Sequence, residues 1–273
     1  MKRIPKEVYN RIDNKIYEEQ GGRWWSTDFS LNLLRALYNP FRVSYIKNVI
    51  ELTKINSEKI TVLEVGCGGG ILCEEIAKMG FITTGIDPAE QSLNAAREHA
   101  HENHLDIRYE KASGERIPYE DRSFDVVLCC DVLEHVRDLP AVISEISRVL
   151  KDNGVYIYDT FNRTCLSKIS IIKVLQEWKR WAIMPPDLHV WEMFIKPSEI
   201  KSLLLKNNLE WKEHRGIEPG TSYLKMLRHL HKRASGELTY EEFGRKFRMV
   251  ESRSNRIMYI GYAVKHTKHE NSK

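Results

Sequence analysis

Between residues 63 and 70 the chain reads Leu-Glu-Val-Gly-Cys-Gly-Gly-Gly, and Asp87 follows Gly68 by 19 positions. Glycines permit a sharp backbone turn and the close approach of a ligand. A carboxylate about 20 residues further on can accept both hydroxyls of a ribose. Glu64 stands two residues before Gly66. Spacing discriminates among nucleotides. A dinucleotide loop, G-x-G-x-x-G/A, needs a small third residue for close helix–strand packing, and this chain has Ile71 there. A G-x-x-x-x-G-K-[ST] phosphate loop needs a lysine, and none follows these glycines. A second group, Asp131, Glu134 and His135, has i, i+3, i+4 spacing. On a helix these side chains face one way and could hold a hard divalent ion. The other reading is a helix-capping aspartate followed by a solvated Glu–His pair, and spacing alone leaves both open.

These residues sit in an alternation of strand and helix patterns. Strands are expected at Ile60–Val65, Phe81–Ile86, Ile107–Glu110, Phe124–Cys129 and Val155–Tyr158. Helices are expected at Ile71–Met79, Glu90–Asn103 and Ala141–Leu150, the last stopping at Asn153-Gly154. Strands separated by helices of 10–15 residues imply βαβ units and a parallel sheet covered on both faces. In such a sheet, ligands bind beyond the C-terminal strand ends. Residues 1–55 read as mainly helical, and the pattern after Asn162 is less regular.

The chain has 273 residues, 42% hydrophobic and 29% charged, which suits a folded globular protein and excludes a disordered one. No apolar run reaches the ~18 residues of a membrane span, and no secretory signal is expected from the charged N-terminus. The five cysteines, Cys67, Cys73, Cys129, Cys130 and Cys165, are odd in number and form no CxxC pair. A reducing cytoplasm is expected. The net charge of +4 is uneven: residues 222–273 carry an excess of +7, and 163–184 carry +4. Two solvated faces would account for this. So would contact with an anionic membrane or an acidic substrate. Nucleic acid is disfavoured, because no recognised binding motif accompanies the charge.

The arrangement E-x-G-x-G-G-G resembles motif I of the class I S-adenosylmethionine (SAM) methyltransferases. Later segments resemble that family's other motifs: Gly85-Ile-Asp-Pro88, Ile117-Pro118 before Ser123-Phe-Asp-Val-Val127, Val132-Leu-Glu-His-Val136, and Arg148-Val-Leu-Lys-Asp-Asn-Gly154. The flanks are similar to the ubiquinone-biosynthesis O-methyltransferases. They include Trp24-Trp25, Tyr38-Asn-Pro-Phe-Arg42, Thr160-Phe-Asn-Arg163 and His189-Val-Trp-Glu-Met-Phe-Ile-Lys-Pro-Ser-Glu199. Two departures stand out. Ser26-Thr-Asp-Phe29 replaces the family's D-x-x-G, and the basic stretch from Gly216 to Arg256 is expanded.

The resemblance implies a doubly wound, Rossmann-like α/β sheet with a helical N-terminal lid and C-terminal substrate or cap insertions. It divides the chain into a lid at 1–55, a SAM-binding core at 56–162, cap helices and completion of the sheet at 163–265, and a tail at 266–273. It implies SAM as cofactor and methyl transfer to a phenolic or catechol small molecule of quinone-precursor type. Gly66, Gly68 and Gly69 would cradle the methionine half, with Glu64 beside them, and Arg42 would meet the cofactor carboxylate. Asp87 and Pro88 would hold the ribose, Ser113 and Gly114 would touch adenine, and Cys130 would approach through its backbone.

His135 and His189 are the candidate bases, since a phenol must lose a proton and histidine can take it near neutral pH. The family context extends the divalent-ion reading of Asp131, Glu134 and His135 to an ion orienting a catecholate, although no metal ligand is assigned. Trp24, Trp25, Tyr38 and Phe41 are lid or plain core. Residues 163–184 are an interfacial helix in peripheral contact with a membrane, or a cap packed on the sheet. Three other activities stay open: a SAM-dependent O-, N- or S-methyltransferase of specialised metabolism, a nicotinamide-dependent oxidoreductase, and a non-catalytic SAM-binding protein.

Overall fold

The computed structural model describes residues 3–55 and 59–266; all of the expected tail except His266 lies outside them. Five parallel strands form the core: β1 (Thr61–Val65), β2 (Ile82–Asp87), β3 (Ile107–Lys111), β4 (Phe124–Cys130) and β5 (Leu150–Phe161). Three later strands, β6 (Leu209–Pro219), β7 (Met249–Ser252) and β8 (Met258–Lys265), extend the sheet antiparallel. The spatial order is β3-β2-β1-β4-β5-β8-β6-β7.

Alternation explains why the sheet is covered on both sides. In β4, Val126 and Leu128 join one apolar cluster with Val62, Val155 and Ile157. Val127 and Cys129 join the opposite one with Leu63, Val65 and Tyr156. A strand buried on both faces reads as a continuous apolar run, as Phe124–Cys130 does. The strand order reverses direction between β1 and β4, which leaves a crevice above their C-terminal ends.

The expected core elements appear with small shifts, and one is corrected. The helix before β5 runs from Leu139 to Val149, opened by Asp138, whose side chain accepts the Ala141 N–H at 3.2 Å. Asn153-Gly154 does not end it. Leu150 already pairs with Phe124, and pairing resumes at Val126 with Val155, so residues 151–154 bulge from the ladder. Asn153 takes the left-handed conformation at φ 62°. The physical reason is burial: Leu150 is fully inaccessible and is held in the sheet rather than in a helix cap.

Before Asn39 the chain makes only short helical turns, and the one long N-terminal helix is Asn39–Thr53. Residues 163–184 contain a π-type helix, Lys168–Glu177. Ile171, Ile172 and Ile183 enter the core, while Ile169 and Trp178 stay 58% and 52% exposed. The basic expansion forms two helices, Tyr223–Ala234 and Tyr240–Phe247, between β6 and β7. Among the described residues no helix is long and apolar enough to cross a membrane.

Candidate active site

The turn out of β1 is built on glycine. Gly66 and Gly68 take φ of 74° and 50°, a region that favours glycine. A Cβ on Gly66 would lie 2.4 Å from Val132 Cγ2. The N–H groups of Gly66 and Cys67 donate to the Ile86 carbonyl at 2.7 and 3.0 Å, tying the turn to the end of β2. Asp87 ends that strand. Its Oδ2 accepts the Gly68 N–H at 2.9 Å, and its Oδ1 accepts the Ala89 N–H at 2.8 Å. Burial pushes the Asp87 carboxyl up to about 6, against the pull of those two N–H groups.

A cavity of about 930 Å³ opens between these strand ends and the N-terminal segment. Glu64, Gly66, Gly68, Asp87 and Pro88 form one wall, with Ser113 and Gly114 beside them. Arg42, Cys130, His135 and His189 also line it. Eleven of the twelve expected site residues thus share one space. The exception, Gly69, lies behind the wall: a Cβ there would sit 2.3 Å from Trp24 Cβ, and its carbonyl accepts from Trp25 Nε1 at 2.9 Å. Trp24 itself faces the cavity, and Trp25 stacks on His99.

Arg42 is 2% exposed. Its Nε and Nη2 grip Asp159 at 2.7 and 2.9 Å, Nη2 also meets Asp131, and Tyr38 lies under the guanidinium. A cofactor carboxylate at Arg42 would therefore share it with two acids of the chain. Glu64 keeps one oxygen without a partner, and burial lifts its carboxyl to about 8 although the Cys73 thiol pulls it down.

His135 is oriented by Asn14. The Asn14 amide Nδ2 donates to the His135 carbonyl at 3.1 Å, which turns Asn14 Oδ1 toward His135 Nδ1, 3.2 Å away. Nδ1 must then carry the proton, and Nε2 is left as the acceptor. Burial holds the His135 imidazole down at about 4, with Asp131 pulling slightly upward. His189 lies 5.1 Å from His135 between ring centroids, and Gln176 fixes its backbone on both sides. Its Nδ1 is buried without a partner, and burial followed by the nearby His135 holds its pKa well below the ordinary value.

The expected Asp131–Glu134–His135 face does not form. Residues 131–137 are turns and bends rather than a helix. Asp131 takes φ 54° and meets Arg42 instead. Among the described residues the group able to converge on a metal ion is Glu134, His135 and His189, whose ligand atoms all lie within 4.8 Å of one another. Thr160 donates to one Glu134 oxygen at 2.8 Å and the other has no partner. Burial first, and Asp131 second, push the Glu134 carboxyl well above its ordinary value.

Three neighbours escaped sequence reasoning. Asn14 and Tyr17 lie in a polar stretch with no periodic pattern; Tyr17 meets His135 edge-on at 5.8 Å. Asp159 carried a signal, an acid inside the apolar run of β5, where only a charged partner makes burial tolerable.

Comparison with known proteins places the chain in a family. A family model described as a methyltransferase domain matches residues 63–158. The ubiquinone biosynthesis O-methyltransferase of Pelagibacter ubique is 37% identical over 210 residues, covering 75% of this chain and 84% of that one. The protein of the same name from Rickettsia typhi is 33% identical over 208 residues, covering 76% and 83%. In fold, the chain is similar to magnesium protoporphyrin IX methyltransferase from Synechocystis PCC 6803, solved with bound SAH. The TM-score is 0.61 at 18% identity, covering 95% of this chain and 100% of that one. None of these supports the nicotinamide alternative. With its glycine turn and Asp87 on one cavity wall, and relatives of this identity and coverage, the chain belongs to the ubiquinone biosynthesis O-methyltransferase family and is a SAM-dependent methyltransferase.

Proposed function

We propose that the cavity presents the SAM methyl group to a phenolic or catechol hydroxyl of a quinone-precursor-like small molecule. The observation that carries this reading is His135 Nε2, an acceptor fixed by Asn14 in the same cavity that the glycine turn and Asp87 line. The relatives' name supplies the acceptor class. In this reading Asp87 and Pro88 hold the ribose, and Ser113 and Gly114 flank the adenine. Gly66, Gly68, Glu64 and Arg42 surround the methionine end, and Cys130 approaches it through its backbone. Gly69 shapes the turn from behind.

The sulfonium is already activated, so the protein's task is placement of the hydroxyl in line, about 3 Å from the methyl carbon, with water excluded. The phenol oxygen attacks that carbon, the C–S bond breaks, and its electron pair returns to sulfur. The hydroxyl becomes strongly acidic as the new C–O bond forms. Even an imidazole held near 4 can take its proton at that moment. The resulting imidazolium faces Asp131, whose charge favours it.

A second reading rests on the partnerless atoms of Glu134 and His189. One carboxylate oxygen and two imidazole nitrogens suit a divalent ion, and the residues present fit it. Such an ion would acidify a catechol hydroxyl. We also propose that the N-terminal segment, expected as a lid over residues 1–55, closes over the cavity, and that exposed Ile169 and Trp178 on the basic 163–184 segment make peripheral membrane contact.

The test is product mass after incubation with SAM and a panel of phenols, catechols, amines and thiols. A gain of one methylene on phenols or catechols is expected. Transfer to amines or thiols alone would overturn the acceptor assignment.

A further inference from the structure

We infer that the concave face between the helices Tyr223–Ala234 and Tyr240–Phe247 is a binding site for a phosphate group. It lies outside the methyl-transfer cavity and is independent of the acceptor proposed above. Lys225, Arg228, His229 and Lys232 recur at i, i+3, i+4 and i+7, so one helix presents them as a single stripe. Lys246 comes from the second helix. With Leu238, these residues enclose about 430 Å³.

Positive charge exceeds its counter-charge along the stripe. Lys232 meets Glu237 at 3.4 Å. The nearby Glu242 is committed to its helix start, accepting the Thr239 N–H at 2.8 Å, and Glu241 to Arg245. Among the described residues no carboxylate lies within ion-pair distance of Lys225, Arg228 or Lys246. The like charges register on His229: burial, then Lys246, Arg228, Lys232 and Lys225, lower its pKa. Its Nδ1 is buried without a partner.

Like charges three or four residues apart destabilise a helix. Here they sit on a framework that holds them together regardless. Leu230, Phe243 and Phe247 are buried beneath, and Arg233 closes the hairpin by covering Tyr240 at 3.8 Å and donating to the Leu238 carbonyl at 3.1 Å. A phosphate answers this arrangement better than a carboxylate, since it brings up to two charges and three acceptor oxygens to several donors at once. Leu224 and Leu227, 82% and 36% exposed, lie on the same helix. Two sources of phosphate therefore suit the site: a phospholipid headgroup or a soluble phosphate compound.

The full chain is titrated with inorganic pyrophosphate by calorimetry at constant ionic strength, alongside the double variant Arg228→Gln, Lys246→Gln. Binding weakened at least tenfold in the variant, with SAM affinity unchanged to show that it folds, is the expected result. Sedimentation with phosphatidylcholine vesicles, with and without phosphatidylglycerol, separates the sources. If pyrophosphate releases the wild type from the anionic vesicles and the variant binds them less, the headgroup is the ligand. If the variant sediments like the wild type while losing pyrophosphate, the ligand is soluble. Absent pyrophosphate binding in the wild type, or equal binding in both proteins, overturns the site.

Discussion

His135 stays neutral at every pH above about 4 because burial denies its cation solvent. An acidic limb of kcat centred at the free-histidine value of about 6.5 would therefore contradict its placement. Replacing His135 by alanine is expected to lower kcat by about 10²- to 10⁴-fold while leaving SAM affinity within a few fold; equal losses in both would make the residue structural.

Asp87 is shifted the other way, which brings its titration into the working range. Its folded pKa is raised to about 6, so the carboxylate proposed to accept the ribose hydroxyls is lost as pH falls through that value. SAM affinity is expected to be flat from pH 8 to 7 and to decline below 6, and a flat calorimetric profile down to pH 5 would refute the role. Folding carries the reverse sign. A raised carboxyl favours the protonated folded state, so this group's contribution to stability is present at low pH and is lost as pH rises through about 6. Asp87→Ala should weaken SAM by about 1–3 kcal/mol, the magnitude of lost charged hydrogen bonds.

The strands and helices of residues 60–162 were legible because each carries its own period. Strands buried on both faces read as apolar runs, and the glycine turn and Asp87 fall where runs end. What sequence could not show was any contact made across the chain. The Asp131–Glu134–His135 triplet looked like a helical face, but those residues turn, and Asp131 is claimed by an arginine 89 positions away. His189 was expected on family grounds, yet its nearness to His135 and Glu134 depends on a loop with no period. Completion of the sheet after residue 163 was expected only from the resemblance, and the residues of its three strands were not legible, since two basic helices break the pattern between β6 and β7.

The Arg42–Asp159–Asp131 cluster ties the Asn39–Thr53 helix to the ends of β4 and β5. Removing one member strands the others, so Arg42→Ala should cost about 3–5 kcal/mol in denaturant unfolding. A loss under 1 kcal/mol would mean that solvent already reaches the two acids.

Taken whole, the molecule packs its basic hairpin against the N-terminal segment. The second helix of the basic hairpin packs on the N-terminal segment: the Tyr240 N–H donates to the Thr27 carbonyl at 3.1 Å, and a Cβ on Gly244 would lie 2.8 Å from Ala36 Cβ. Gly244→Val should cost about 1–3 kcal/mol through overpacking, seen as a lower unfolding midpoint. It should also weaken SAM binding, since the displaced segment leads directly into Tyr38 and Arg42; unchanged affinity would show that the seam is isolated from the cavity.

If Gly244→Val weakens SAM binding as expected, that seam joins the hairpin and the roof of the cavity into one mechanical piece. An occupant that stiffened one would then alter the free energy of moving the other. By reciprocity the methyl donor, once seated, would change the grip of the distant helices on their own guest by the same factor. The enzyme would then register its surroundings through a joint no wider than one missing methyl group.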